Sequence, residues 1–221
     1  MKKILLFFAI VSVAGMLASC NGNGKTAEAG TEGTATEENA EDVGFLQGFA
    51  YVDLGLSVNW ATCNVGANAP EEYGNKYGWG ETKAKESDFN FDNKYKVDEE
   101  WTKYNYTDSL TTLDKDDDVA TSNWGTEWRM PTKDEIQELV DKCTWTIKDN
   151  KGFEVKGPNG KTIFLPINDD LSTSHCKGNY WTSSCYENCF AAYELVFHTK
   201  FTGLNSDSRG HGKLVRPVCA K

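Results

Sequence analysis

No CxxC pair occurs anywhere in the 221 residues, no glycine loop ends in GKS/T, and no GxGxxG is present. The first absence removes the commonest zinc-ligand spacing. The other two remove the glycine loops whose backbones cradle phosphates and dinucleotides. Histidine is scarce as well: His175, His198 and His211 are the only three, and each lacks a spaced nucleophile and carboxylate partner for catalysis. Basic charge is in deficit, with 23 Lys and Arg against 33 Asp and Glu, a net charge of −10 at pH 7. An acidic surface repels phosphate, so neither nucleic acid nor charge-driven adhesion to anionic lipid fits. Long apolar runs are missing too. The run "ILLFFAIVSVAGM", from Ile4 to Met16, is thirteen residues, short of the about 20 that a finished membrane-spanning helix needs.

What is there begins with that short run. Lys2 and Lys3 precede it and Leu17-Ala18-Ser19-Cys20 follows it, which reads as a secretory signal ending in a lipobox. Small side chains admit a signal peptidase to the bond before Cys20, and the Cys20 thiol carries the lipid. Residues 1–19 are therefore expected to be a lipoprotein signal peptide, with Cys20 the lipidation site and the membrane a partner through that lipid. "NGNGKTAEAGTEGTATEENAED", Asn21 to Asp42, has no aromatic residue and cannot bury enough apolar surface to offset its ordering entropy. Residues 20–42 read as a flexible acidic stalk. Cleavage before Cys20 removes Lys2 and Lys3, which takes the 23 basic side chains to 21 against 33 acidic ones, net −12. Residues 43–221 are enough for one domain of ordinary size. The expected location is the bacterial cell envelope, at the outer membrane, with the face left open.

Beyond Cys20 six cysteines remain: Cys63, Cys143, Cys176, Cys185, Cys189 and Cys219. An even number in an exported chain favours disulfides, with metal ligation and free thiols as rivals. Cys185 and Cys189 flank Tyr186-Glu187-Asn188, so a hairpin there brings their Cβ atoms close.

Along the domain, "AYVDLGLSVNWATCNVGA" reads as one or two short strands turning at Gly55. In "EEYGNKYGWGET" the glycines permit tight turns around buried aromatic rings. Phe89 to Asp118 alternates polar and aromatic residues and carries no clear helix, which makes it a long surface excursion. Trp101, Tyr104 and Tyr106 on it are a candidate binding surface, or else rings that pack the excursion onto the core. "DKDDD", Asp114 to Asp118, places acids at calcium-loop spacing. Val119 stands where that loop needs Gly and Gly125 where it needs Glu, so a solvated acidic turn is expected instead of an EF-hand. Thr132 with Glu135 three residues on is a capping box, entered through Pro131. The helix it opens sets Ile136, Leu139, Val140 and Cys143 on one face. Arg129 is either an anion clamp or half of a buried structural pair. "TWTIKDNKGFEVKGPNGKTIFLPI" is a succession of strands with turns at Asn150–Gly152 and Pro158–Gly160. Tyr180–Ser184, Cys189–Thr199 and "GKLVRPVC" read as further strands. The fold class is α+β, mainly antiparallel short strands with one principal helix.

Five blocks then stand in one order: "VDLGLSVNWATCNVGA", "NWGTEWRMPTKDEIQEL", "GPNGKTIFLP", "YWTSS" and "LVRPV". Together they resemble the Fibrobacter succinogenes major paralogous domain, a family of exported proteins of Bacteroidetes and relatives. The resemblance spans roughly Tyr51 to Val218. That domain is similar in layout to the formylglycine-generating enzyme fold, a variant of the C-type lectin fold. The resemblance thus implies a C-type lectin-like frame in which Trp124, Trp128, Arg129, Pro131, Thr132 and Trp181 are structural signature positions. It implies no catalytic residue, metal or cofactor here. The copper-binding cysteine pair of the generating enzyme has only Cys219 near its place. The lectin calcium triplets are unmatched by "GPNG" and "INDD". A lectin-like frame outside the inner membrane points to a glycan or protein partner. It also implies a helix-to-last-strand bridge, Cys143 to Cys219, with Cys63 the competing partner for Cys143 and Cys176 taking whichever is left or staying free. Asp108-Ser109-Leu110 is similar to the O-glycosylation signal of those bacteria, which makes Ser109 a candidate acceptor.

Overall fold

The computed structural model describes residues 43–86, 92–149, 151–167, 177–187 and 189–221. The expected signal peptide, Cys20, the stalk, His175 and Cys176 lie outside the described residues. The described part belongs to one compact unit, Ala40–Lys221. In chain order its strands are β1 (Gly44–Leu46), β2 (Phe49–Val52), β3 (Asn59–Ala61), β4 (Lys96–Val97), β5 (Glu100–Trp101), β6 (Trp128–Arg129), β7 (Thr144–Lys148), β8 (Gly152–Lys156), β9 (Thr162–Pro166), β10 (Gly178–Tyr186), β11 (Ala191–His198), β12 (Phe201–Ser208) and β13 (Val218–Cys219). Two α-helices, α1 (Val119–Trp124) and α2 (Lys133–Lys142), interrupt them. The protein is mostly antiparallel strand with little helix.

The largest sheet has the order β1-β2-β3-β13-β6. Val218 pairs with both Trp60 and Arg129, and Cys219 with both Asn59 and Trp128. One late strand therefore joins the first strand block to the lead-in of α2. Strands β7-β8-β9 and β10-β11-β12 form two three-stranded meanders, and β4-β5 is a small hairpin. A parallel bridge from Tyr180 to Leu214 lays the segment before β13 along β10.

Helix α2 starts where Thr132 caps it. The Thr132 hydroxyl accepts the Glu135 N–H at 3.2 Å, and the Glu135 carboxylate accepts the Thr132 N–H at 2.8 Å, closing the capping box. Its buried stripe is Ile136 and Leu139, which join Leu54, Trp60, Val155, Leu165 and Phe197 in one core. Full burial of such a side chain stabilises by about 1.5–3 kcal/mol. A second core gathers Trp79, Trp124, Trp128, Trp181, Tyr104, Met130 and Val215. The glycines of "GNKYGWG" serve its rings. Gly74 sits at φ 72°, where any Cβ would meet the Val65 carbonyl at 2.4 Å, and Tyr77 and Trp79 beyond it are buried.

Several expectations are corrected here. The acidic turn is not uniformly solvated: Asp117 and Asp118 are buried, because each accepts several hydrogen bonds that replace its water. A helix, α1, follows at once, capped by the Asp118 carboxylate on the Ala120 and Thr121 N–H groups at 2.9 and 3.0 Å. Strand β12 is also new. Its sequence, "FTGLNSDS", is polar because it is an edge strand with only Gly203 fully buried. The Cys143–Cys219 bridge does not form, and Cys63, Cys143 and Cys219 are free thiols. Cys219 neighbours Trp128 at the start of α2, whereas Cys143 closes the far end. A ten-residue helix spans about 15 Å, so the two thiols fall against different cores, Cys143 against the first and Cys219 within the second. Cys185 and Cys189 form a disulfide, Cα to Cα 4.9 Å.

Candidate functional site

The segment from Asp118 to Lys133 is built like a hinge pin. Its two tryptophans pack edge to face at 5.1 Å, and Trp124 stacks on Phe49 at 3.9 Å. The Trp128 indole N–H reaches the Leu46 carbonyl at 3.2 Å. The outer edge of β6 is closed by side chains: the Thr121 hydroxyl donates to the Trp128 carbonyl at 2.7 Å, and the Asp118 carboxylate accepts the Met130 N–H at 2.8 Å. Burial raises the Asp118 pKa in spite of its three backbone donors. Arg129 forks onto Glu135, one N–H at 2.7 Å. Burial works to raise the Glu135 pKa, but the Arg129 hydrogen bond and the Thr132 N–H outweigh it and hold that carboxyl low. Arg129 is thus half of a structural pair, its charge already matched. The Pro131 carbonyl accepts the Ser183 N–H at 2.7 Å, which ties the helix entry to β10. Trp181, also on β10, is fully buried with its indole N–H on the Tyr77 carbonyl at 2.8 Å.

The aromatic surface expected at Trp101, Tyr104 and Tyr106 does not exist as a surface. Tyr104 is fully buried, its hydroxyl on Asp117 at 2.5 Å and its ring edge-on to Trp79 at 5.1 Å. Trp101 is half-buried, with the Arg209 guanidinium 3.9 Å from its ring centre. Only Tyr106 faces solvent, at 78% exposure. The rings hold the excursion down because buried groups beneath them need partners. Asp117 accepts from Lys94, Lys103, Tyr95 and Tyr104. Burial would raise its pKa, but these four donors hold it well below the usual carboxylate range. Ser109 is exposed at φ 57°, beside Asp108, whose carboxylate accepts the N–H groups of Tyr104, Asn105 and Leu110.

What the fold does offer is a cleft of about 710 Å³ at the entry to α2, floored by Leu46, Leu113 and Met130 and walled by threonines 112, 121, 126 and 132 with Lys115 and Glu127. A second cleft of about 470 Å³ shares Thr112 and Thr132 with it and runs on past Lys133, Ser184 and Tyr193. The common wall is the strip Thr111–Leu113. It bonds along β10 through Cys185 N–H to the Thr111 carbonyl and Leu113 N–H to the Ser183 carbonyl, both at 2.9 Å. The Cys185–Cys189 bridge lies behind that strip, its sulfurs 3.7 and 3.4 Å from the Leu110 carbonyl. Sequence reasoning finds Arg129 and Thr132 of this lining through the capping box. It misses Thr112, Thr126, Glu127 and Tyr193, which carry no local pattern and meet only through the strip on β10.

The cleft is suited to hydrogen bonding. Thr111, Thr112 and Thr126 are exposed, and their hydroxyls make no hydrogen bond among the described residues. No histidine and no free thiol lines either cleft. Among the described residues no group of three or more His, Cys, Asp or Glu is placed to hold a metal ion, and no helix is long and apolar enough to cross a membrane. Compared with known proteins, the chain matches no family model, no curated protein and no solved structure.

Proposed function

We propose that the chain is a lipid-anchored cell-envelope protein whose C-type lectin-like domain binds a glycan or protein partner and performs no catalysis. The lipobox at Leu17–Cys20 and the aromatic-free run behind it support the anchor. The five ordered sequence blocks and the mainly antiparallel fold around one principal helix, α2, support the frame. The observation that carries a binding role is the double cleft at the α2 entry. It combines an apolar floor, exposed threonine hydroxyls and a few charged side chains, of which Arg129 and Lys133 are matched by Glu135 and Asp134, the usual composition of a recognition site. A copper enzyme of the formylglycine-generating kind needs a pair of thiols. Among the described residues Cys185 and Cys189 are bridged to each other, and Cys219 sits buried in β13.

Two measurements test this. Labelled fatty acid should enter the full chain and fail to enter its Cys20→Ser variant; equal incorporation in both removes the anchor. The full chain should bind members of a glycan array or purified envelope proteins and lose that binding when Thr112→Trp fills the cleft. No binding to either panel would favour a purely structural envelope component.

A further inference from the structure

We infer that the two clefts act as one track for an extended, uncharged oligosaccharide, with Tyr193 as the stacking platform at one end; this rests on the binding reading above.

Continuity comes first. Thr112 and Thr132 border both clefts, so the two open side by side and a ligand seated in one reaches the other across these two side chains. The first cleft alone has the volume of a complete small-ligand site, and the second adds about 470 Å³. A ligand that fills both is long.

Charge argues for neutrality. Arg129 is matched by Glu135, and Lys133 by Asp134 at 2.9 Å. In the first cleft Lys115 and Glu127 are of opposite sign and the Asp118 carboxylate is taken up by backbone N–H groups, and the second cleft adds the Glu187 carboxylate. No excess of positive charge is left to draw in a carboxylate-rich ligand.

Backbone geometry argues against a peptide. An extended peptide gains affinity by pairing its main chain with an open strand edge. Here both candidate edges are taken: Thr121 and Asp118 cover β6, and the strip Thr111–Leu113 covers β10. What the walls present instead is side-chain hydroxyl, which matches the donors and acceptors of a sugar. Tyr193 adds a ring, half-buried in the second cleft, with Tyr186 edge to face at 5.1 Å and the Lys133 ammonium 5.8 Å from its centre, a loose contact that a sugar would displace. A pre-positioned ring of this kind offers an apolar face to a sugar at little ordering cost.

The test is an array of neutral linear oligosaccharides from mono- to hexasaccharide, printed beside uronate-containing and sialylated glycans and unstructured peptides, and probed with the full chain. Neutral oligosaccharides should bind, more tightly with length, and Tyr193→Ala should weaken the best of them about tenfold. Thr112→Val, at an exposed position shared by both clefts, should weaken them too and decides the matter if Tyr193→Ala fails to fold. Binding of acidic glycans alone or peptides alone would overturn this inference and leave the binding role standing. Equal binding by the native chain and both variants would overturn the location. Silence across the array would overturn the inference and the glycan reading together.

Discussion

The Arg209 guanidinium lies 3.9 Å from the centre of the Trp101 ring, fully buried, and donates to the carbonyls of Lys103, Tyr104 and Cys189. Its Nε has no partner, and no carboxylate pairs with it among the described residues. Burial pushes its pKa down to about 10. Two loops that are distant in sequence, at Lys103–Tyr104 and at Cys189, thus hang on one cation, whose main shields from water are the rings of Trp101, Trp79 and Tyr104.

Removing the Trp101 ring should therefore cost more than its half-exposed position suggests. Trp101→Ala is expected to lower stability by about 2 kcal/mol, the size of a desolvated cation–π contact. Tyr106→Ala, at an exposed ring, should stay within about 0.5 kcal/mol. Urea denaturation of both variants checks the contrast, and equal losses would return the rings to the status of a surface.

The disulfide makes a second prediction. Closing so short a loop stabilises by about 2 kcal/mol through the unfolded chain. The local effect should be larger than that figure conveys, because the bridge backs the strip Thr111–Leu113 and positions the Cys189 carbonyl for Arg209. After reduction, amide exchange should accelerate first in residues 103–113 and in the turn before β11. Uniform acceleration across the domain would contradict this.

The free thiols can be counted. In denaturant without reductant, Cys63, Cys143 and Cys219 should all take an alkylating reagent, while Cys185 and Cys189 should not until reduced. In the native protein Cys143 should react slowly, because burial pushes its thiol up to about 11 and leaves little thiolate at neutral pH. A Cys143–Cys219 disulfide peptide in a non-reducing map would refute the assignment.

Acid should weaken the domain in a defined window. The Asp117 pKa is depressed well below its ordinary 3.8, and Glu138, held by Ser57 and Lys142 against the opposing effect of burial, falls from 4.5 to about 2. Lowered carboxylate values mean that the unfolded chain takes up protons first. The stabilisation is complete above the ordinary values, near pH 5, and is lost as pH falls toward 2. Asp118, raised by burial, contributes in the opposite sense, since its cost is relieved on acidification. Asp117→Asn should flatten the acid limb as well as lower stability at neutral pH. An unchanged slope below pH 5 would remove Asp117 from the account.

The parts of the fold that could be read in the sequence are those fixed by short-range chemistry. Thr132 and Glu135 are three residues apart and cap each other, so the helix declares its own start. Strands β7 to β9 follow one another between turns marked by Gly and Pro, and they pair in that order in space, with Gly152 drawn into β8 and Ile147 of β7 left exposed. Strand β12 and helix α1 are hidden because their local signals are weak: one is a polar edge, and the other is six residues long and held chiefly by its cap. The candidate surface misleads for a related reason. Tyr104 and Tyr106 look alike in sequence, and only the buried Asp117 and Arg209 beneath the loop decide which ring turns inward. The double cleft is invisible for the same reason, since Thr112 and Thr132 meet only when the strip lies along β10.

The position of β13 has a consequence for how the molecule comes into being. Strands β3 and β6 are never neighbours; each pairs with β13, which arrives far later in the chain. Until it does, both carry open edges, and only side-chain contacts such as Trp124 on Phe49 and Trp128 on Leu46 join the two halves of the sheet. Contacts of such sequence separation close slowly and cooperatively. A chain emerging from the ribosome would hold these strand edges unpaired until Val218 and Cys219 had been made and released, and during that interval its exposed edges and tryptophans are open to aggregation.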